Sequence, residues 1–74
     1  MIKIELETGG SVWKILKKPG DKVFAGDVIF ILEVMKMEVP YETPDTGEIV
    51  RIFINEGDPV KEGQIAVEIQ VSLS

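Results

Sequence analysis

The chain of 74 residues contains no cysteine and no histidine. It therefore has no Ser-His or Cys-His nucleophile pair, no zinc site built from the usual ligands, and no common side-chain base that titrates near neutral pH. No disulfide can support the fold, which fits a reducing compartment. These absences argue against an enzyme that acts on its own.

Long apolar runs and an excess of positive charge are also missing. No run approaches the roughly 20 apolar residues of a membrane-spanning helix, and the stretch Met1–Glu5 has the features of neither a signal peptide nor a transit peptide. The net charge is −5, whereas nucleic acids are bound chiefly through Lys and Arg. We therefore expect a cytoplasmic protein whose partners are neither membranes nor nucleic acids.

The length and composition predict one folded domain over residues 1–74. Hydrophobic residues make up 45% of the chain and charged residues 28%, which is typical of a globular protein rather than a disordered tail. A chain of this size buries a core only marginally, so its strands must pack efficiently.

An internal repeat organises the sequence. A shift of 37 residues places residues 10–15 on 47–52, residues 20–26 on 57–63, and residues 28–34 on 65–71. Each copy has the pattern of a strand, a Gly-Asp turn, a short strand, a second glycine turn and a longer strand, with no helical period. Neither copy can bury an apolar face alone. The repeat therefore predicts an all-β fold, a small sandwich or flattened barrel with quasi-two-fold symmetry.

The apolar strand positions predict the core, and the repeated glycines predict turns. The expected core consists of Val23, Ile29, Ile31, Leu32, Ile52, Val60, Ile65, Val67 and Ile69, with Trp13 and Phe30 as further candidates. The glycines expected to supply positive φ or tight turns are Gly20, Gly26, Gly57 and Gly63.

The stretch Glu33-Val34-Met35-Lys36-Met37-Glu38 begins at the end of the first copy and leads towards the second. The apolar run before it predicts a buried strand, and residues 37–41 can pair back as a hairpin, which places the turn at Met35-Lys36. A two-residue hairpin turn normally requires Asn-Gly or Asp-Gly, because both central residues adopt positive φ. Local chemistry that disagrees with the fold indicates function, so Met35, Lys36 and Met37 are candidate site residues.

Ordinary structural roles are the alternative for each of these residues. A lysine at a turn is commonly a solvated charge, and a methionine beside a strand is commonly part of the core. Two methionines that flank one lysine at a turn are harder to explain in this way, because a turn offers them little core. Glu33 and Glu38 form the one suggestive carboxylate pair, but so small a chain offers little of the burial that acid and base catalysis requires.

The motif Glu-Val-Met-Lys-Met-Glu resembles the attachment motif of biotinyl domains, the biotin carboxyl carrier family. The resemblance extends from about Gly10 to Val71 and includes the segment Pro44-Asp45-Thr46-Gly47 and both Gly-Asp turns. Val34 departs from the family, which more often has a small residue there, and we expect little effect on attachment. The chain lacks the thumb insertion of some carrier proteins and resembles the short biotin/lipoyl attachment proteins.

The resemblance implies a fold and a function. The implied fold has two four-stranded antiparallel sheets, with the modified lysine on a hairpin at one end and both termini at the other. Lys36 would be amide-linked to biotin, and the flanking Met35 and Met37 would belong to the attachment motif. The protein would then be a non-catalytic carrier whose biotin moves between biotin carboxylase and carboxyltransferase sites after attachment by a biotin protein ligase.

Glu33 and Glu38 are expected to serve recognition by the ligase or the carboxylase, because the predicted turn sets two like charges opposite each other. Two alternatives stay open. One is a lipoyl carrier of a 2-oxo-acid dehydrogenase complex, although lipoyl domains usually flank the lysine with Asp and Ala. The other is an unmodified β-rich interaction module.

Overall fold

The computed structural model describes residues 1–72, which form eight β-strands. The strands are β1 (Ile2–Glu5), β2 (Gly10–Ile15), β3 (Lys22–Val23), β4 (Val28–Val34), β5 (Met37–Glu42), β6 (Gly47–Ile52), β7 (Pro59–Val60) and β8 (Ile65–Val71). The described residues contain no helix, so the all-β prediction is confirmed.

The strands form two four-stranded antiparallel sheets. Sheet A has the order β1-β8-β6-β3, and sheet B has the order β5-β4-β2-β7. Strands β1 to β4 and strands β5 to β8 each contribute two strands to each sheet. The two-sheet architecture implied by the resemblance is therefore confirmed.

The internal repeat is visible in the backbone. Strands β6, β7 and β8 begin and end 37 residues after β2, β3 and β4. The Gly20 N–H donates to the Ile49 carbonyl, and the Gly57 N–H donates to the Val12 carbonyl, both at 2.8 Å. Gly20 and Gly57 have φ values of 93° and 89°. The two turns are thus equivalent, as the repeat predicts.

The core lies between the sheets and includes most of the predicted residues. Val23, Ile29, Phe30, Leu32, Val60, Val67 and Ile69 are buried, and Ile52 is half-buried and packs against them. Ile65 is half-buried but is not among the residues that pack against this core. The sequence reasoning missed Ile4, Leu6, Val12, Ile49, Ile54 and Ala66, which are also buried. Several of these belong to short or imperfectly alternating segments, where the apolar period is weak.

Two other predicted core residues are outside the core. The pairing of β2 with β4 shifts between Val12 and Lys14, so Trp13 is an additional residue at a β-bulge and is 42% exposed. Ile31 pairs with Lys14 on one side and Pro40 on the other, and both of these are exposed. Because cross-strand partners share a face, Ile31 lies on the outer face of sheet B, and the core prediction is wrong for both residues.

The turn between β4 and β5 lies at one end of an elongated molecule, whose longest extent is 39 Å. At the other end Ile2 pairs with Ile69, and Gly47 pairs with Val71. The segment from β2 to β3 runs from one end to the other. Strand β2 begins at Gly10, which is close to Glu33, and β3 ends at Val23, which pairs with Gly47. The candidate turn is therefore remote from the beginning of β1 and the end of β8.

Candidate functional site at the hairpin between strands 4 and 5

The hairpin closes with a strained turn. Val34 pairs with Met37, and the two residues between them have positive φ, 52° at Met35 and 64° at Lys36. These signs define a type I′ turn, as predicted, although it is built without Asn or Gly. The left-handed region costs an ordinary side chain on the order of 1 kcal/mol per residue. The pairing of β4 with β5 must therefore hold the turn in place.

The side chains at the turn point away from the core. Met35 is 93% exposed and Met37 is 69% exposed, and Lys36 is also exposed. Among residues 1–72 the one ion pair joins Lys3 to Glu68 at 3.9 Å, so Lys36 has no ion-pair partner among them. The Lys36 amine is thus accessible to an enzyme, and the two methionines present an apolar surface beside it.

Glu33 and Glu38 face each other directly behind the turn. They are cross-strand partners in the pairing of β4 with β5, and both are exposed. Their opposition, which the turn predicted, is confirmed. Like charges in directly opposite positions destabilise a sheet by up to roughly 1 kcal/mol, so this pair is unfavourable in the isolated protein.

Three residues outside the motif position the hairpin, and none was predicted as a site residue. A Cβ atom built on Gly10 would lie 2.5 Å from the Glu33 carbonyl oxygen, so only glycine permits β2 to approach β4 this closely. The rings of Phe30 and Tyr41 stack with centroids 4.8 Å apart. The alignment of Gly10 with Gly47 in the repeat is the sequence signal that could have identified Gly10.

Tyr41 also connects β5 to the loop after β1. Its hydroxyl oxygen accepts a hydrogen bond from the Glu7 N–H at 3.1 Å. Strand β5 is the edge strand beside β4 in sheet B, so this contact and the ring stack help to fix its position. The hairpin is consequently a rigid support for the turn.

One cleft lies away from the turn, and the described residues form neither a metal-binding cluster nor a membrane-spanning helix. A cleft of about 410 Å³ is lined by residues of β3, the start of β6 and the end of β8, at the end of the molecule opposite Lys36. Residues 1–72 bring together no cluster of three or more potential metal-ligating side chains. Over the same range no helix is long and apolar enough to cross a membrane.

Comparison with known proteins identifies relatives along nearly the whole chain. Residues 3–69 match the biotin/lipoyl family model, which is described as "Biotin-requiring enzyme". The chain is 35% identical over 69 residues to the biotin/lipoyl attachment protein of Bacillus subtilis, covering 93% of this chain and 94% of that protein. It is 38% identical over 61 residues to pyruvate carboxylase of the same organism, covering 82% of this chain but 5% of the enzyme.

Solved structures share the fold. The Kluyveromyces lactis urea carboxylase matches with a TM-score of 0.87 and 32% identity, over 93% of this chain and 6% of the enzyme. The lipoyl domain of the 2-oxoglutarate dehydrogenase complex from Azotobacter vinelandii matches with a TM-score of 0.83 and 28% identity. That match covers 95% of this chain and 96% of the lipoyl domain.

The fold and the match along the chain define a small non-catalytic carrier domain. The protein belongs to the biotin/lipoyl attachment family, and it is homologous to a segment of pyruvate carboxylase.

Proposed function

We propose that the protein is a biotin carboxyl carrier and that Lys36 is its attachment residue. The observation that carries the proposal is the turn itself, where an accessible lysine lies between two methionines that are 93% and 69% exposed. Neither the strain of this turn nor the exposure of the methionines stabilises the fold. Both features are explained if an enzyme must bind the turn and bring its active site to the Lys36 amine.

The residues present fit covalent biotin. Lys36 supplies a primary amine on a flexible four-carbon chain, which an arginine could not replace as an acceptor because guanidinium stays protonated. Lys36 would hold biotin through an amide bond between its Nζ atom and the carboxyl carbon of biotin. Formation of that bond would release the activating group from the biotin carboxyl and one proton from the amine, and the ligase would take up both.

Biotin, once attached, supplies the carboxyl-carrier chemistry, and this chain supplies attachment and presentation. The hairpin lies at an end of the molecule, and residues 35–38 are exposed there. Visits to a biotin carboxylase site and a carboxyltransferase site then become effectively intramolecular, because the tether raises the local concentration of biotin at each. These two enzymes and a biotin protein ligase are the proposed partners.

A labelling experiment tests the proposal. The purified protein is incubated with biotin, ATP and a bacterial biotin protein ligase, and the product is read by intact mass and peptide mapping. We expect one biotin per chain, on Lys36. The Lys36→Arg variant should remain unlabelled, whereas Lys61→Arg, which alters an exposed lysine in the turn between β7 and β8, should be labelled normally. Stoichiometric labelling of Lys36→Arg would disprove the assignment.

A lipoyl carrier is the second candidate, and the match to the Azotobacter vinelandii lipoyl domain favours it. The same experiment with lipoate, ATP and a lipoate ligase separates the two functions. Met35 and Met37 support biotin, because lipoyl domains resemble this chain but usually have Asp and Ala at these positions. Faster modification with lipoate than with biotin would overturn the proposal and leave the carrier class intact.

A further inference from the structure

The two sheets have equivalent inner faces but different outer faces. On the outer face of sheet A, cross-strand partners bring opposite charges together: Lys3 with Glu68, Arg51 with Glu68, and Lys22 with Glu48. The Lys3 ammonium lies 3.9 Å from the Glu68 carboxylate. This face therefore compensates its own charges and needs no partner to do so.

Sheet B has apolar residues in place of the Lys3–Glu68 pair and a larger apolar side chain beside them, while Lys14 occupies the position of Arg51. Pro40 stands where sheet A has Lys3, Ile31 where it has Glu68, and Trp13 where it has Val50, after the shift of 37 residues. Pro40 is exposed, Ile31 is half-buried and Trp13 is 42% exposed. The ammonium of Lys14 lies 5.7 Å from the centre of the Trp13 ring, which places both side chains on the outer surface.

The acidic pair adjoins this apolar patch on the side nearer the turn. Glu33 lies two residues after Ile31 on β4, and Glu38 lies two residues before Pro40 on β5. Because side chains alternate along a strand, all four side chains share the outer face of sheet B. Unlike the acids of sheet A, these two carboxylates have each other as cross-strand partners. A cationic group from a second molecule would relieve their repulsion.

We propose that Trp13, Ile31, Pro40, Glu33 and Glu38, here called the outer patch of sheet B, form the docking surface for the biotin protein ligase. The inference rests on the proposed function, since it presumes that Lys36 is the residue modified. It requires on the ligase an apolar contact area bordered by Lys or Arg side chains. Charge complementarity with the Glu33–Glu38 pair supports this partner.

Geometry favours the ligase over the carboxylase as the occupant. Before modification the reacting amine is held only by the lysine side chain, so the ligase must approach the hairpin itself. A carboxylase site is reached later through the longer biotinyl-lysine arm. The outer patch is continuous with the turn through Glu33 and Glu38, whereas the outer face of sheet A adjoins the opposite end of the molecule.

An exchange of outer faces tests the proposal. The variant Trp13→Val, Ile31→Glu and Pro40→Lys gives sheet B the residues that sheet A already carries, and it leaves the net charge unchanged. We expect its KM as a ligase substrate to rise about tenfold, as for the loss of central interface contacts, while kcat changes little. Prolonged incubation should still label Lys36 fully, because the acceptor residue is intact.

The matched control moves the apolar residues to the far sheet. The variant Lys3→Pro, Val50→Trp and Glu68→Ile carries the reverse exchange and should keep the KM of the unaltered protein. Circular dichroism and urea unfolding verify that both variants fold. If the triple exchange in sheet B does not fold, Ile31→Glu alone is measured, with an expected several-fold rise in KM.

A binding readout separates docking from chemistry. The Lys36→Arg protein should inhibit the ligase competitively, and the same protein with the sheet B exchange should inhibit about tenfold more weakly. An unchanged KM and inhibition constant would overturn the docking surface. So would a sheet B exchange that alters only the oligomeric state, which would assign the patch to a second copy, or only carboxyl transfer, which would assign it to a carboxylase.

The failure of the proposed function gives a different result. In that case the unaltered protein would take up no biotin at all. The outer patch can fail while Lys36 is still labelled normally, so the two outcomes are distinguishable.

Discussion

The α-carbon of Gly10 lies so close to the carbonyl oxygen of Glu33 that an added Cβ would be 2.5 Å from it. Gly10→Ala should therefore push β2 away from the end of β4 that leads to the turn. We expect the free energy of unfolding to fall by about 1–3 kcal/mol, as for other overpacked positions. Urea unfolding followed by circular dichroism measures the change.

Gly47→Ala provides the matched control, because a Cβ there would meet the Gln70 carbonyl oxygen at the other end of the molecule. Its stability should fall similarly, but its rate of biotinylation should not change at a temperature where the variant is folded. Equal rates of labelling for the two variants would show that Gly10 does not position the hairpin.

The repulsion between Glu33 and Glu38 predicts opposite effects on stability and on ligation. Replacing both residues with Gln should raise the free energy of unfolding by a few tenths of a kcal/mol, because two like charges are removed. The same variant should be biotinylated more slowly if these carboxylates attract the ligase. Urea unfolding and initial labelling rates at two salt concentrations measure both effects. An unchanged labelling rate would show that Glu33 and Glu38 are ordinary solvated acids with no role in recognition.

Met35 predicts a conflict between stability and function. Met35→Asn should raise the free energy of unfolding by about 0.5–1 kcal/mol, since Asn tolerates the left-handed region that Met35 occupies at φ 52°. The loss of an exposed methionine should nevertheless slow biotinylation. Thermal unfolding and labelling rates are compared with those of Met37→Asn. That variant changes a strand position, where Asn is disfavoured, and it should lose stability.

The carboxylates of Asp21 and Asp58 predict similar effects in the two halves, although Asp58 Oδ2 also accepts a long hydrogen bond of 3.5 Å from the Asn55 side-chain amide. Asp21 Oδ2 accepts the Lys18 N–H, and Asp58 Oδ2 accepts the Asn55 N–H, both at 3.0 Å. Each substitution with Ala should lower the free energy of unfolding by about 1 kcal/mol. Asp45→Ala, whose exposed side chain accepts no such bond among the described residues, should change it by less than about 0.5 kcal/mol. Costs at Asp21 and Asp58 that differ by more than about 1 kcal/mol would contradict the equivalence of the turns.

The sequence predicted the strands and turns that occur in both copies of the repeat. The bounds of β2, β4, β6 and β8, the Gly-Asp turns and the turn at Met35-Lys36 followed from patterns that appear twice or that bridge the two copies. The local motif was also enough to predict that Glu33 and Glu38 lie opposite each other, because the position of a two-residue turn fixes the register of its hairpin.

Features that depend on contacts between distant segments were not predictable in the same way. Trp13 belongs to an apolar stretch with imperfect alternation, and only the pairing of β2 with β4 shows that a bulge places it outside the core. Ile31 lies in a continuous apolar run in which period alone does not distinguish the inner face from the outer. Gly10 has a defined role only once the Glu33 carbonyl is known to lie against it.

The exchange of strands between the two halves has a consequence for folding. Strand β7 of the second copy completes the sheet of β2 and β4, and β3 of the first copy completes the sheet of β6 and β8. The molecule is therefore the single-chain counterpart of a domain-swapped dimer, and either half by itself would leave unpaired strand edges and an open apolar face. Local melting of one half is thus disfavoured, and the hairpin should lose its shape only when the whole domain unfolds cooperatively.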